Sequence, residues 1–169
     1  MPPSRKSGAE SQVTLSVLDR LVDRDPRNQG EEAATRAQSV RELKAGIRRD
    51  IEWLLNTRRI AVEPDEGLRE LAQSVYVYGL PDFTAFSLAS HKDQSKLVRS
   101  LQWAIRHFEP RLANVQIIPI KNEEAGSRTL RFRIEGLLLM DPAPEFVAFD
   151  TFLDLTSSAY TLQGEANAG

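Results

Sequence analysis

The apolar residues of this 169-residue chain change their spacing near residue 113, and this change limits the folds available to it. Before that point they recur every three or four residues, as on one face of an α-helix. After it they alternate with polar residues, as in half-buried β-strands. Because helices come first and strands second, we predict an α+β fold in which N-terminal helices pack on one face of a C-terminal antiparallel β-sheet.

Three long helices are predicted, over 40–56, from 65 or 66 to about 75, and over about 93–108. The first follows Ser39, which has the spacing of a capping box with Glu42. The third ends before Pro110, which cannot continue a helix. The second has an acidic start, and its inward-facing residues would be Leu68, Leu71, Ala72 and Val75.

Three strands are predicted, over about 115–120, 130–135 and 146–155. Loops that contain Gly126 and the segment 141–144 separate them. These connections are short, whereas parallel pairing needs crossovers of a dozen or more residues. The strands therefore indicate an antiparallel meander.

The length is typical of one globular domain with loose ends. We predict a flexible arm over 1–12, an amphipathic helix over 13–26, a single α+β domain over 39–162 and a flexible tail over 163–169. The short helix has an apolar stripe that includes Leu18 and Leu21. Because an isolated helix of this length is marginal in water, the stripe needs a packing partner.

The charges exclude some function classes. Lys and Arg number 22 against 24 Asp and Glu, and the net charge of −2 argues against a general polyanion binder. All 22 basic residues lie in 1–133, whereas 134–169 holds six acidic residues and no basic one. The chain has no cysteine, its start lacks the apolar region of a signal peptide, and no apolar run is long enough to span a membrane. We expect a cytoplasmic protein without direct membrane contact.

The sequence predicts no catalytic residue, metal ligand, cofactor or small-molecule substrate. The two histidines, His91 and His107, lack neighbours at metal-ligand spacing, and no common nucleophile or nucleotide-binding motif occurs. Glu10 and Asp19 have the first spacing of a phage-type lysozyme, but Asp25 stands where a threonine is expected. A peptidoglycan glycosidase is therefore the alternative hypothesis.

A basic stretch on and after the first long helix raises the possibility of nucleic-acid binding; it comprises Arg41, Lys44, Arg48, Arg49, Arg58 and Arg59. Acidic residues are interspersed among these cations, and no aromatic platform for stacking bases accompanies them. We interpret the stretch as an ordinary solvated helix face or a protein contact, and expect no nucleic-acid partner.

Glu109, Pro110 and Arg111 follow the third helix and place opposite charges on either side of a proline. In an extended turn the two side chains point in similar directions. They then pair either with each other or with groups of a partner.

Four segments, in this order, resemble one family: 16–21 (SVLDRL), 50–58 (DIEWLLNTR), 78–82 (YGLPD) and 108–112 (FEPRL). The chain is similar to TssE, the small baseplate subunit of bacterial type VI secretion, which is itself similar to a wedge protein of contractile phage tails. The likeness extends over about residues 13–155.

The resemblance implies a non-enzymatic assembly role. The partners would be the wedge subunits TssF and TssG, TssK, and the TssB/TssC sheath, whose strands would add to an edge of the sheet. Glu109, Pro110 and Arg111 match the family's wedge-contact motif. We expect Leu18 and Leu21 to bind the wedge as well, the alternative being that they fold back on the chain's own core. Asp141, Glu145, Asp150 and Asp154 would favour a basic sheath segment.

Overall fold

The computed structural model describes residues 16–21, 36–84, 86, 90–120, 129–154 and 157–165, and it confirms the predicted α+β class. The helices are α1 (Val17–Leu21), α2 (Arg36–Asn56) and α3 (His91–Phe108). The strands are β1 (Leu112–Ile120), β2 (Thr129–Leu138), β3 (Glu145–Asp154) and β4 (Ala159–Glu165). Two 3-10 turns, Leu71–Gln73 and Val75–Val77, lie between α2 and α3.

The sheet is an antiparallel meander with the strand order β1-β2-β3-β4. Helix α3 packs mainly against β1 and α2 mainly against β4, so that the two helices cover one face of the sheet. Their buried side chains join those of the strands in one core, in which Ile47, Ile51, Ile105 and Phe149 are almost completely enclosed. Strand β4 is not among the predicted strands, and it includes the first three residues of the predicted tail.

The two long helices differ from the prediction mainly at their starts. Helix α2 begins at Arg36, one turn early, so Ser39 lies inside the helix and is buried instead of capping it. Helix α3 begins after Ser90, whose Oγ accepts a hydrogen bond from the Asp93 backbone N–H at 3.3 Å. Helix α3 ends before Pro110, as predicted, because a proline cannot continue a helix.

The predicted helix from 65 or 66 to about 75 is wrong. The segment forms the two 3-10 turns instead, and Leu68 (55%), Ala72 and Val75 (84%), which were expected to face inward, are exposed. Leu71 is half-buried. Ser74 interrupts the segment, since its Oγ accepts from the backbone N–H of Tyr76 at 3.2 Å. A helix this short needs apolar burial to be stable, and this segment obtains little.

Two predicted N-terminal segments lie wholly or partly outside the described residues. The predicted arm over 1–12 lies wholly outside them, and the predicted amphipathic helix over 13–26 is described only over 16–21. No helix of the described part is both long and apolar enough to cross a bilayer.

Candidate partner-binding face

The turn after α3 is built around a buried carboxylate. Glu109 is only 4% exposed, and its backbone N–H donates to the Ile105 carbonyl at 2.8 Å, which closes the last turn of the helix. The next residue, Pro110, is exposed. The backbone N–H of Arg111 then donates to Glu109 Oε1 at 3.3 Å. Glu109 therefore fixes the direction in which the chain leaves the helix and enters β1.

Glu109 and Arg111 pair with each other. Arg111 Nε donates to Glu109 Oε1 at 2.6 Å, and Arg111 Nη2 donates to Oε2, which makes a two-point contact between guanidinium and carboxylate. The same Nη2 also donates to Asp50 Oδ2 on α2 at 2.6 Å. These carboxylates, Glu109 first and then Asp50, raise the pKa of Arg111 despite its partial burial.

The contacts continue across α2 to α1. Asp50 Oδ1 accepts from Arg49 Nε at 3.0 Å and Nη2 at 2.7 Å, and Arg49 Nη1 donates to Asp19 Oδ1 at 2.7 Å. Hydrogen bonds to Asp19 and Asp50 raise the pKa of Arg49. We call this alternating series, Glu109, Arg111, Asp50, Arg49 and Asp19, the ionic chain. It links the turn after α3 to the short helix at the start of the described structure.

The same negative charges affect the pKa of the neighbouring Tyr78. Its pKa is raised, first by burial and then by the carboxylates of Asp50 and Glu109, because each disfavours a phenolate. Tyr78 also packs edge-on against Phe108, with ring centroids 5.0 Å apart. Tyr78 therefore lies within electrostatic reach of the ionic chain and packs on the last residue of α3.

Helix α1 is held to α2 by a polar contact. The Asp19 side chain is 4% exposed, and its Oδ2 accepts from Ser16 Oγ at 2.6 Å. It lies against Gly46, where a Cβ atom would approach Asp19 Oδ2 to 2.9 Å. A glycine inside a helix lowers stability by about 1 kcal/mol relative to alanine, so its presence here is explained by the space that Asp19 needs.

The apolar residues of α1 face away from the protein. Leu18 is 47% exposed, Leu21 76% and Val17 71%. Trp53, one turn beyond Arg49 on α2, is 54% exposed, and the Arg49 guanidinium lies 5.1 Å from the centre of its ring. We define the docking face as the exposed apolar residues attached to the ionic chain: Val17, Leu18, Leu21, Trp53 and Pro110.

A family model described as "Baseplate wedge protein gp25" matches residues 41–143, more than half of the chain. The chain belongs to this baseplate wedge family. The matched range includes α2 from residue 41 onward, α3, β1 and β2, and with them Arg49, Asp50, Glu109 and Arg111 of the ionic chain. Helix α1 with Asp19 lies before the matched range. A search among curated proteins found no match.

Membership of the baseplate wedge family indicates a structural role in a baseplate, in contact with other baseplate proteins. The sequence-predicted partner residues occupy different positions. Leu18, Leu21 and Pro110 are accessible to a partner, Arg111 is about one-quarter exposed and Glu109 is enclosed. The alternative is that Leu18 and Leu21 fold back on the chain's own core. In the described α1 both side chains are exposed instead.

Sequence reasoning missed three residues of this wedge protein. From the sequence, Arg49 is assigned only to a solvated helix face or a protein contact, and Gly46 and Trp53 are given no role. A glycine in the middle of a strong helical pattern is a signal that something approaches the helix closely. An exposed tryptophan beside it is a second one, since aromatic residues are enriched at protein interfaces.

Of the two residues of the alternative glycosidase hypothesis, the structure describes only Asp19. Asp19 is ion-paired with Arg49, and Glu10 lies outside the described residues. His107 stacks on Trp103 at 5.0 Å, and His91 is an exposed residue at the start of α3. Among the described residues, no group of three potential metal ligands occurs.

Gly46→Ala is expected to release α1 from α2 while the rest of the domain stays folded. The new Cβ would displace the Asp19 carboxylate, whereas the helix itself would gain up to about 1 kcal/mol in propensity. Amide hydrogen exchange over residues 16–21 is the measurement, and we expect it to become faster.

The same substitution in an Asp19→Ala background is the control for Gly46→Ala. There the carboxylate is already absent, so Gly46→Ala should only raise stability and leave the exchange over 16–21 as it is in the single Asp19 variant. Unchanged protection of α1 in the single Gly46→Ala variant would contradict the contact between Asp19 and Gly46.

Proposed function

We propose that this protein is the small wedge subunit of a bacterial type VI secretion baseplate, of the TssE type, and that it acts by binding and not by catalysis. It joins the wedge core of TssF and TssG to the contractile TssB/TssC sheath and helps to start sheath polymerisation. Its place is the cytoplasmic side of the baseplate, near TssK, with the inner membrane reached through other subunits. Membership of the wedge family supports the proposal.

The observation that carries this proposal is the docking face. A short helix with three exposed apolar residues is held in place by the buried Asp19 carboxylate and its ion pair with Arg49, which is what a preformed binding element requires. Soluble proteins rarely leave grouped apolar residues in water unless a partner covers them. We assign this face to the wedge core, TssF and TssG, with Leu18, Leu21 and Pro110 in contact and Glu109 and Arg111 as positioning residues.

The second contact, with the sheath, needs a sheet edge, and the two edge strands differ. On β1, the Val115 carbonyl already accepts from Gln102 Nε2 at 2.8 Å and Arg106 Nη2 at 3.0 Å. Pro119 of the same strand has no N–H to give to an added strand. Strand β1 is therefore a poor template for strand addition.

On β4, one helix side chain occupies the start of the strand. Asn56 Nδ2 donates to the Tyr160 carbonyl at 2.9 Å, and the Tyr160 N–H donates to Asn56 Oδ1 at 2.8 Å. This reciprocal pair substitutes for a neighbouring strand at one residue. We assign sheath strand addition to β4, over the residues after Tyr160.

The expected attraction between the acidic sheet and a basic sheath segment is limited by internal pairs. Glu145 accepts from Lys44 of α2 at 2.6 Å, and Asp150 accepts from Arg133 of β2 at 2.9 Å. The separation of charges along the sequence is thus partly cancelled in the fold. Backbone pairing at β4, rather than net charge, carries the proposed sheath contact.

Leu18→Asp combined with Leu21→Asp is expected to lower the recovery of TssF and TssG at least about tenfold, equivalent to about 1.4 kcal/mol of binding free energy. Each carboxylate would have to be desolvated at the contact, while the fold should be unaffected because both positions are exposed. The measurement is the amount of TssF and TssG that co-purifies with the tagged full chain after co-expression.

Val75→Asp is the matched control, because Val75 is 84% exposed but lies in a 3-10 turn outside the docking face. It should leave the recovery of TssF and TssG unchanged. Binding of TssB and TssC should survive all these substitutions, since β4 is separate from α1. Full recovery of TssF and TssG with the doubly substituted chain would remove the docking face from the wedge contact.

A further inference from the structure

A second surface, which shares no residue with the docking face, lies beside the middle of α3. It is a groove of about 390 Å³ that we call the α3 groove, and its lining includes Arg59, Phe83, Phe86, Lys96, Arg99 and Trp103. Gly79 and Pro81 also line it. Neither family membership nor the proposed contacts with wedge core and sheath assign a role to this groove.

The charge in the α3 groove is of one sign. The described residues that line it include three cations, Arg59, Lys96 and Arg99, and no carboxylate. Arg59 has an ion pair with Glu63 at 3.1 Å, but Glu63 is 80% exposed, and Lys96 lies 4.0 Å from Asp93. Arg99 is exposed and makes no ion pair with the described part of the chain. Lys96 and Arg99 are exposed and available to an anionic ligand at little desolvation cost, whereas the Arg59 side chain is 24% exposed and would exchange Glu63 for the ligand.

Aromatic rings accompany these cations. Phe83 and Phe86 pack edge to face with centroids 4.9 Å apart, and Lys96 Nζ lies 5.7 Å from the Phe86 ring. Arg59 lies 5.9 Å from the centre of the Trp103 ring, and Trp103 remains 42% exposed. The groove therefore combines positive charge with apolar surface for one inserted side chain.

The existing contacts of the aromatic rings indicate which class of ligand suits the groove. Trp103 is stacked on His107, with 9° between the ring planes, and also has Arg59 over it. Lys96 lies over Phe86. Rings that already stack on side chains or cations of the protein are poor platforms for nucleic-acid bases, which need free ring faces. The volume suits a few amino-acid side chains.

We propose that the α3 groove binds an acidic segment of a partner protein, with one large apolar side chain packed beside Phe83 and Trp103. The carboxylates of the segment contact Arg99, Lys96 and Arg59. The charge complementarity gives the interaction a strong salt dependence and a fast association rate. This contact goes beyond the proposed function and does not rest on it, because no residue of the docking face or of β4 takes part.

The test is a selection of short random peptides displayed on phage against the immobilised full chain, with affinities of the enriched peptides measured by calorimetry. We expect enrichment of sequences with several Asp or Glu residues around one large apolar residue. Their affinity should fall steeply between about 50 and about 200 mM salt, as expected for contacts to several cations. Arg99→Glu should weaken binding at least about tenfold.

Arg41→Glu is the matched control, since Arg41 is an exposed arginine on α2 outside the groove, and it should leave peptide affinity unchanged. Both variants should melt like the unsubstituted chain, because both positions are exposed. Enriched peptides without acidic residues, or acidic peptides that bind the Arg99 variant equally well, would overturn the proposal. Tighter binding of a random single-stranded oligonucleotide pool than of the selected peptides, lost in the Arg99 variant, would overturn it in favour of a nucleic-acid groove.

Discussion

Arg111→Met is expected to lower the free energy of unfolding by about 3 kcal/mol, because it removes a cation that contacts both Glu109 and Asp50. The Glu109 side chain is only 5% exposed, so water has little access to replace the lost guanidinium. Methionine keeps most of the apolar stem of the side chain, which separates the loss of charge from a loss of packing. Equilibrium unfolding in denaturant, with the slope checked for two-state behaviour, measures the difference.

Arg58→Met provides the matched comparison for Arg111→Met. Arg58 lies 4.0 Å from Asp82 in a pair whose side chains are 67% and 58% exposed, so its loss should change stability by less than about 1 kcal/mol. A second comparison combines Arg111→Met with Glu109→Leu, which removes both charges. Because no unpaired buried charge remains, most of the lost stability should return. Equal effects of Arg58→Met and Arg111→Met would contradict the buried role of the ionic chain.

The burial of Glu109 changes how the Glu-Pro-Arg turn has to be tested. Substitutions of Glu109 or Arg111 disturb both the fold and the position of α1, since the ionic chain connects them. A loss of partner binding in such variants would not show whether these residues touch the partner. The exposed residues Leu18, Leu21 and Pro110 are free of this difficulty.

Most of the fold could be predicted from the hydrophobic periods, because α2, α3 and β2 each bury one regular stripe. Strands β1 and β3 keep enough of the alternation to be recognised, although their burial is less regular. Strand β4 escaped prediction because Tyr160 and Leu162 are the only buried residues among its described side chains, which is too few to define a period. The predicted helix from 65 or 66 to about 75 failed for the opposite reason. Its pattern is present, but the fold provides no surface to bury residues such as Val75.

The site was less accessible to prediction than the fold. The turn of Glu109 and Arg111 could be found from its own residues, but its partner Asp50 is 61 positions away along the chain. Asp19 was considered for a catalytic role, whereas in the fold its carboxylate contacts Arg49, 30 positions away. Local spacing cannot reveal which of 24 acidic residues will meet which cation once the helices pack.

Gly79→Ala is the second substitution expected to have a large effect, with a loss of at least about 3 kcal/mol in the free energy of unfolding. Gly79 has φ = 101°, a conformation that residues with a side chain rarely adopt. A Cβ atom at this position would also lie 2.9 Å from the Thr57 carbonyl carbon and closer still to its oxygen. The alanine would strain the backbone at residue 79, and its Cβ would collide with backbone atoms of Thr57. Neither problem can be relieved by a change of side-chain rotamer.

The position of Gly79 explains the size of this effect. Leu80 N–H donates to the Thr57 carbonyl at 2.8 Å, and Arg59 N–H donates to the Leu80 carbonyl at 2.8 Å, so two segments cross here as a short parallel bridge. Leu80 is 3% exposed and belongs to the core. A displaced Gly79 would therefore break two backbone hydrogen bonds and withdraw a core side chain. The glycine of the YGLPD segment is needed for this crossing.

Gly67→Ala is the matched control for Gly79→Ala, because a Cβ at Gly67 would meet nothing within 4 Å. It should change stability by no more than about 0.5 kcal/mol, as is usual for surface positions. If both alanine variants unfold at the same denaturant concentration, the backbone crossing is not as tight as described.

Because Gly79 also lines the α3 groove, its substitution should weaken peptide binding there as well, whereas Arg99→Glu should affect binding without affecting stability. Comparing these two variants separates the architecture of the groove from its charge.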